Sequence, residues 1–365
     1  MKRLTEFSDL SDPTFSSAVI GWQQAHGRHA LPWQNTRDAY RIWLSEIMLQ
    51  QTQVAAVLGY YARFLERFPT LAALADAPAE AVMAQWAGLG YYTRARNLHA
   101  CAKRVMADYG GVFPSDPALL AELPGIGRST AAAIAAFSSG ARAAILDGNV
   151  KRVFARVFGI DAYPGEKKVE DGLWRRAEAL LPDASIESYT QGLMDLGATL
   201  CTRSSPACPR CPLQARCVAF ATGRTADLPV RKPKKTQPEK QAAMLIVIDR
   251  GQVLLEQRAD SGIWGGLLSL PEADGHSVRA ALDPARLTAS ALVFGEVEEM
   301  QALLPLVHVF THYKLHIAPY KVRLSARAAM PAGYVWRELS EVATLPLPAP
   351  VKKLLADLAA PSLFQ

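Results

Sequence analysis

The sequence predicts two domains of different class, a mainly α N-terminal half and an α+β C-terminal half, joined by an extended linker. Three observations carry this. At 365 residues the chain is long enough for about two domains. Helical patterning rich in Ala, Leu and Arg, punctuated by proline and glycine, runs from Pro13 to about Phe220, and short β-branched runs replace it after residue 240. Between them LPVRKPKKTQPEK, Leu228 to Lys240, has three prolines, five Lys/Arg and nothing to bury. The expected boundaries are 1–227, a linker at 228–240, and 241–365.

In chain order, the N-terminal half places helices at Asp38–Gln53, Arg94–Tyr109, Ser129–Phe137 and Val150–Gly159. Cys101 falls on the second of these and reads as a buried structural residue. In the C-terminal half, Ala242–Ile248 and Val253–Gln257 form a hairpin across Asp249-Arg250-Gly251. Further strands are expected around Leu303–Phe310 and Lys314–Leu324. Half of the residues are hydrophobic and a fifth charged, which suits a soluble protein with sizeable cores. No apolar run approaches the roughly 20 residues of a membrane span. The start, MKRLTEFSDLSDPTF, has no apolar run after its basic residues, so no secretory signal is expected. A cytoplasmic protein follows, nucleoid-associated in a bacterium. The net charge of +6 is compatible with a polyanionic partner and is weak support alone.

Four of the five cysteines, Cys201, Cys208, Cys211 and Cys217, share one tract with C-x6-C-x2-C-x5-C spacing. Thiolates this close can converge on one soft metal centre, although zinc sites more often use two C-x2-C pairs with a longer spacer. Arg203, Arg210 and Arg216 in the tract suit phosphate contacts or an ordinary solvated face. Leu123-Pro124-Gly125-Ile126-Gly127 opens onto an Ala-rich helix. Gly125 and Gly127 would let the backbone approach an anion that also meets free helix N–H groups; a plain helix-connecting turn is the bland alternative. Glu46 lies on the stripe Ile42–Glu46–Leu49–Gln53 among Trp43, Ile47 and Met48. Burial there would favour its neutral form, as a general acid requires, but a Glu at the edge of a core helix reads the same way. Asp147 precedes Gly148-Asn149-Val150 and is equally a helix N-cap.

Taken together these strings resemble a known family. The cysteine spacing matches the [4Fe–4S] loop of endonuclease III-like glycosylases, and LPGIGRSTA resembles their helix-hairpin-helix. SEIMLQQTQV and LDGNVKR are similar to the acid and aspartate strings of MutY-like adenine glycosylases. SGIWGGLLSLPE at Ser261–Glu272 resembles a Nudix domain. The resemblance implies a mainly α helix-hairpin-helix glycosylase domain with an iron–sulfur cluster loop, then an α+β Nudix-like domain. It implies one [4Fe–4S] cluster on the four cysteines. The implied activity is hydrolysis of the N-glycosidic bond of adenine mispaired with 8-oxoguanine or guanine in double-stranded DNA, by a monomer.

Carried onto this chain, Glu46 would protonate adenine and later activate water, Asp147 would stabilise the oxocarbenium ion, and Asn149 would support the pair. Arg28, Trp33, Leu49 and Gln191 are candidates for the adenine pocket. Gln50, Gln51 and Tyr91 would enter the duplex when the nucleotide is extruded. Arg94 and Arg96 are expected at phosphate or solvent. Bifunctional relatives carry a lysine where this chain has Ser129, and an alcohol cannot form an imine, so the lyase route through that position is closed. Lys151 reads as a DNA-contacting or structural lysine that could still meet an abasic aldehyde. The segment after Glu272 lacks a REXXEE-type cluster, so metal-dependent pyrophosphate hydrolysis is not expected. Phe310-Thr311-His312 stands where the family commonly has Phe-Ser-His for recognising 8-oxoguanine. His308 beside it is as readily a structural residue. Rival readings are a glycosylase/lyase for thymine or oxidised pyrimidine, a silent DNA-damage binder, and a cluster-based redox sensor.

Overall fold

The computed structural model describes residues 11–232, 237–259, 261–273 and 284–359. The middle of the linker and most of the segment after Glu272 lie outside the described residues. The chain divides into two compact units, Met1–Asp76 with Ala100–Lys234 and Ala77–His99 with Lys235–Gln365.

The helices in chain order are α1 (Pro13–His26), α2 (Ala39–Leu49), α3 (Val54–Arg67), α4 (Leu71–Ala75), α5 (Ala79–Trp86) and α6 (Thr93–Tyr109). They continue with α7 (Pro117–Ala121), α8 (Arg128–Ser139), α9 (Gly148–Val157), α10 (Lys167–Ala179), α11 (Ile186–Asp195) and α12 (Val218–Ala221). Aspartates start several of them. Asp12 accepts from the Phe15 amide at 3.2 Å, Asp38 from Tyr40 at 2.9 Å and Asp116 from Ala118 at 2.8 Å. Each satisfies amides that the first turn leaves unpaired. The first unit's core joins Phe15 and Val19 of α1 to Ala132, Ala133 and Ala136 of α8, Val150 and Phe154 of α9, and Leu193 of α11. Such burial contributes roughly 1.5–3 kcal/mol per large aliphatic or aromatic side chain. Cys101 is fully buried on α6, as its sequence context suggests.

The helix expected over Asp38–Gln53 stops at Leu49. Gln50 leaves the helical region with ψ 113°, which ends the α2 hydrogen-bond ladder, Gln51 follows at a left-handed φ of 57°, and Gln53 becomes the N-cap of α3. Gln53 therefore leaves the stripe that carries Glu46.

In the second unit the strands are β1 (Glu239–Asp249), β2 (Gln252–Gln257), β3 (Leu268–Ser269), β4 (Glu272–Ala273), β5 (Gly295–Ala302), β6 (Leu306–Val309), β7 (Lys314–Arg327) and β8 (Tyr334–Glu338). Helices α13 (Pro284–Leu292) and α14 (Ala349–Ala359) accompany them. The sheet is mixed, in the order β3-β2-β1-β7-β5, with β4 on β1, β6 on β7 and β8 on β2. The β1–β2 hairpin pairs Asp249 with Gln252. Its turn residues Arg250 and Gly251 both have positive φ, as a type I′ turn requires. β1 and β7 run parallel from Glu239↔Lys314 to Ile248↔Arg323. β6 pairs antiparallel with β7, Val309 opposite Lys314, so Phe310 to Tyr313 form the connecting loop.

The cluster loop is a correction. The four-cysteine tract folds into two 3-10 turns, Cys208–Arg210 and Gln214–Arg216, and its thiols line a small apolar cavity with Val153, Val157, Leu196 and Leu213. Among the described residues no group of three or more His, Cys, Asp or Glu is placed to hold a metal ion. The expected [4Fe–4S] cofactor and the metal-ligand role of Cys201, Cys208, Cys211 and Cys217 are therefore not supported. Burial pushes the Cys211 thiol up to about 11 and raises Cys217. Arg156, only 2 % exposed, braces the loop instead. It donates to Cys201 Sγ at 3.3 Å, to Thr202 O at 2.7 Å and to Leu228 O at 2.8 Å.

Candidate active site

Three helix ends in the first unit converge on the two carboxylates. Glu46 lies in the last turn of α2, and Asp147 caps α9. The start of α8 brings them together: Gln50 Nε2 donates to Thr130 Oγ1 at 3.4 Å, and Ser129 Oγ accepts the Leu146 amide at 2.9 Å. That Ser129 contact fixes the strand of chain leading into Asp147. Burial, with a smaller contribution from the Asp147 charge, pushes Glu46 up to about 8. Its neighbours Ile42, Trp43, Ile47 and Met48 are all buried apolar residues that offer it no charge.

Asp147 is buried as well, but it is met by hydrogen-bond donors. Burial raises its pKa, but donors oppose the rise: the Val150 amide at 2.8 Å and Asn149 Nδ2 at 3.2 Å. Asn149 is itself oriented, its Oδ1 accepting from Arg152 Nη2 at 2.7 Å. Arg152 also reaches Gly197 O at 2.7 Å and Cys201 O at 2.8 Å. Gly197 belongs to a π-helical turn, Leu196–Leu200, that continues α11. A Cβ there would lie 2.4 Å from Asn149 Cβ, so only glycine lets this turn approach.

A second cluster surrounds Asp195, which is fully buried. Arg28 grips it with Nε at 2.7 Å, Nη2 at 2.6 Å and the backbone amide at 2.8 Å, and Gln191 Nε2 adds a bond at 2.8 Å. Sequence reasoning named Arg28 and Gln191 but missed Asp195, Arg152 and Gly197. An aspartate inside the mostly apolar string LMDLGATL was the available signal for the first. Trp33 is buried edge-to-face against Tyr61, centroids 5.2 Å apart, and Leu49 is half-buried at the end of α2. Lys151 pairs with Glu170 at 2.6 Å. At the hairpin, Gly125 has φ 78°, and Gly127 caps α8 with open space where a Cβ would stand.

Tyr91 and the Phe310 loop lie in the second unit. Tyr91 is exposed at a left-handed φ of 49°. Arg94, expected at phosphate or solvent, is buried instead. It stacks near the Trp86 and Tyr91 rings and donates to Gly90 O at 3.1 Å. Phe310 stacks on Tyr313 at 4.6 Å and meets His308 edge-on at 4.5 Å, while Thr311 and His312 are exposed. Burial lowers the His308 pKa.

Comparison with known proteins agrees with this geometry. Residues 44–179 match the HhH-GPD superfamily of base excision DNA repair proteins, and residues 242–357 match the NUDIX domain. The structure of a thermostable thymine-DNA glycosylase superposes with a TM-score of 0.52 at 30% identity, covering 57% of this chain and 95% of that one. The fold and site thus define a helix-hairpin-helix DNA glycosylase, a hydrolase of N-glycosyl bonds, carrying a Nudix domain. The adenine DNA glycosylase of Buchnera aphidicola from Schizaphis graminum is 34% identical over 93% of this chain and 97% of its own length. The adenine DNA glycosylase of Mus musculus is 33% identical over 95% and 78%. This chain belongs to the adenine DNA glycosylase family. Among the described residues, no helix is long and apolar enough to cross a membrane.

Proposed function

We propose that the chain removes adenine opposite 8-oxoguanine, or opposite guanine, from double-stranded DNA by hydrolysis, acting as a cytoplasmic monomer. The observation that carries this reading is the unequal pair of carboxyls. Glu46 at about 8 holds its proton at neutral pH, while at Asp147 burial raises the pKa and hydrogen bonds from the Val150 amide and Asn149 work against that rise. Adenine leaves poorly unless protonated, and the sugar it leaves behind becomes an oxocarbenium ion. Glu46 delivers its proton to the adenine ring, Asp147 faces the developing positive charge, and Asn149 keeps Asp147 in place. Glu46, now ionised, takes a proton from the attacking water.

Arg28 and Gln191, pinned by Asp195, present donors to the base edge, with Trp33 and Leu49 as walls. Gly125, Gly127 and the α8 N-terminus seat a phosphate, joined by Lys151. Gln50, Gln51 and Tyr91 fill the gap left by the extruded nucleotide. The left-handed backbone at Gln51 and Tyr91 supports this, because such strain gathers at functional positions. With Ser129 in the lyase position, the product is an abasic site and an intact strand. Residues 1–227 carry the chemistry. Residues 241–365, beyond the 228–240 linker, read the opposite base through Phe310, Thr311 and His312.

The test is single-turnover incubation with A·8-oxoguanine, A·G, A·C and A·T duplexes beside Glu46→Gln. The expected result is free adenine and strand cleavage only after alkali, fastest opposite 8-oxoguanine. Glu46→Gln should slow release by about a thousandfold, within the range of a lost general acid. Strand breakage without alkali, or full activity in the variant, would overturn the reading.

A further inference from the structure

Arg96 does something its sequence position does not suggest. It stands half-buried in the first turn of α6, and its guanidinium has two hydrogen-bond partners. Nη2 donates to Thr93 Oγ1 at 2.9 Å, and Nη1 donates to the carbonyl of Gly265 at 2.5 Å. Gly265 is buried in the SGIWGG segment, directly after Trp264. Both ends of this contact lie in the same compact unit.

What stands on each side of the bond gives it meaning. Upstream, the Tyr91 loop is held as one rigid piece. Trp86 Nε1 and Arg94 Nη2 both donate to Gly90 O at 3.1 Å, and the Gly88 amide donates to the Tyr92 hydroxyl at 3.2 Å. Tyr91 leaves that piece exposed. Downstream, Trp264 is buried at a left-handed φ of 56°, a conformation that a bulky residue keeps only when its surroundings over-determine it. The Trp264 ring lies 5.7 Å from Phe310 and 6.0 Å from His308. A charged donor on the neighbouring carbonyl is the stronger class of hydrogen bond available to hold it there.

We infer that Arg96 is a positioning residue that locks the Tyr91 loop and, through Gly265 and Trp264, the Phe310-Thr311-His312 loop into one reading head. The inference rests on the roles proposed above for those two loops. Without Arg96 the SGIWGG segment relaxes, Trp264 withdraws from Phe310, and the wedge and the reading loop lose their common frame. Discrimination between opposite bases falls, and base removal itself does not.

The experiment uses the full chain and duplexes carrying a non-hydrolysable adenosine analogue opposite 8-oxoguanine or opposite guanine. The quantity read is the ratio of the two dissociation constants, with the single-turnover rate on A·G as control. Arg96→Ala should shrink the ratio by about tenfold, the scale of one lost charged hydrogen bond, and leave the saturated A·G rate within about twofold. Arg96→Lys, which keeps one donor for the Gly265 carbonyl, should recover most of the ratio. Arg96→Ala combined with Phe310→Ala should match Phe310→Ala alone, because both remove the same contact. Equal weakening on both duplexes, or independent multiplication of the two defects, would overturn the proposal and leave Arg96 a stabilising residue. A ratio unchanged by Arg96→Ala but lowered by Phe310→Ala withdraws the proposal and keeps the loop reading. A ratio unchanged by Phe310→Ala withdraws both.

Discussion

Glu46 and Asp147 are chemically near-identical groups whose surroundings separate them. Glu46 is hemmed in by apolar side chains, while Asp147 is met by an amide hydrogen and the Asn149 side chain. The difference has a consequence for stability. The folded chain holds the Glu46 proton up to about pH 8, whereas the ordinary value is 4.5, so between those limits the folded state binds more protons than the unfolded one. Stability from this group is therefore lost as pH rises through that window, and above it an ionised Glu46 opposes folding. Glu46→Gln removes the opposition. It should melt several degrees above the parent chain at about pH 9 and no higher at about pH 4, as scanning calorimetry would show. An equal melting difference at both pH values would mean that titration of Glu46 is not its source. The sequence made the apolar company of Glu46 visible. It left the partners of Asp147 hidden, because Arg152 and Gly197 acquire their roles only through packing.

At the level of elements, the active centre depends on how closely the π-turn after α11 approaches the start of α9. Gly197 allows that approach, as Gly192 allows α1 to lie against α11, where a Cβ would stand 2.8 Å from Val19 Cγ1. Gly197→Ala should cost about 1–3 kcal/mol, the usual cost of overpacking. It should also slow adenine release by more than its effect on folding explains, since the added methyl displaces Asn149. A chemical denaturation midpoint paired with a single-turnover rate at low temperature separates the two effects. A variant with native stability and native rate would remove Gly197 from the account. Elements with strong local signals were legible: the capped helices α2, α8 and α9 and the β1–β2 hairpin appear within a few residues of expectation. β5 was not, because GEVEEMQA offers little apolar alternation at the sheet edge, where side chains face water. The 3-10 turns of the cysteine tract and the π-turn before it were equally silent. A spacing match to a cluster loop said nothing about where the four sulfurs would point.

On the proposed roles the whole molecule separates its tasks. The two carboxylates and the Asp195 cluster belong to one compact unit, and Tyr91 and the Phe310 loop belong to the other. The inclusion of Ala77–His99 in the second unit is a property of packing that a continuous helical pattern conceals. If chemistry and reading are divided in this way, their pH dependences are divided too. The Glu46 titration must appear on every adenine duplex that is cleaved, whatever the opposite base, whereas any titration of His308 must depend on that base. The most direct measurement is the single-turnover rate of adenine release by the full chain against pH, on A·8-oxoguanine and on A·G. Both rates are expected to fall as pH rises through about 8, with a shared midpoint, and Glu46→Gln to have neither the rate nor the limb. A rate that stays flat beyond pH 9 on both duplexes would contradict a protonated Glu46 as the acid that releases the base.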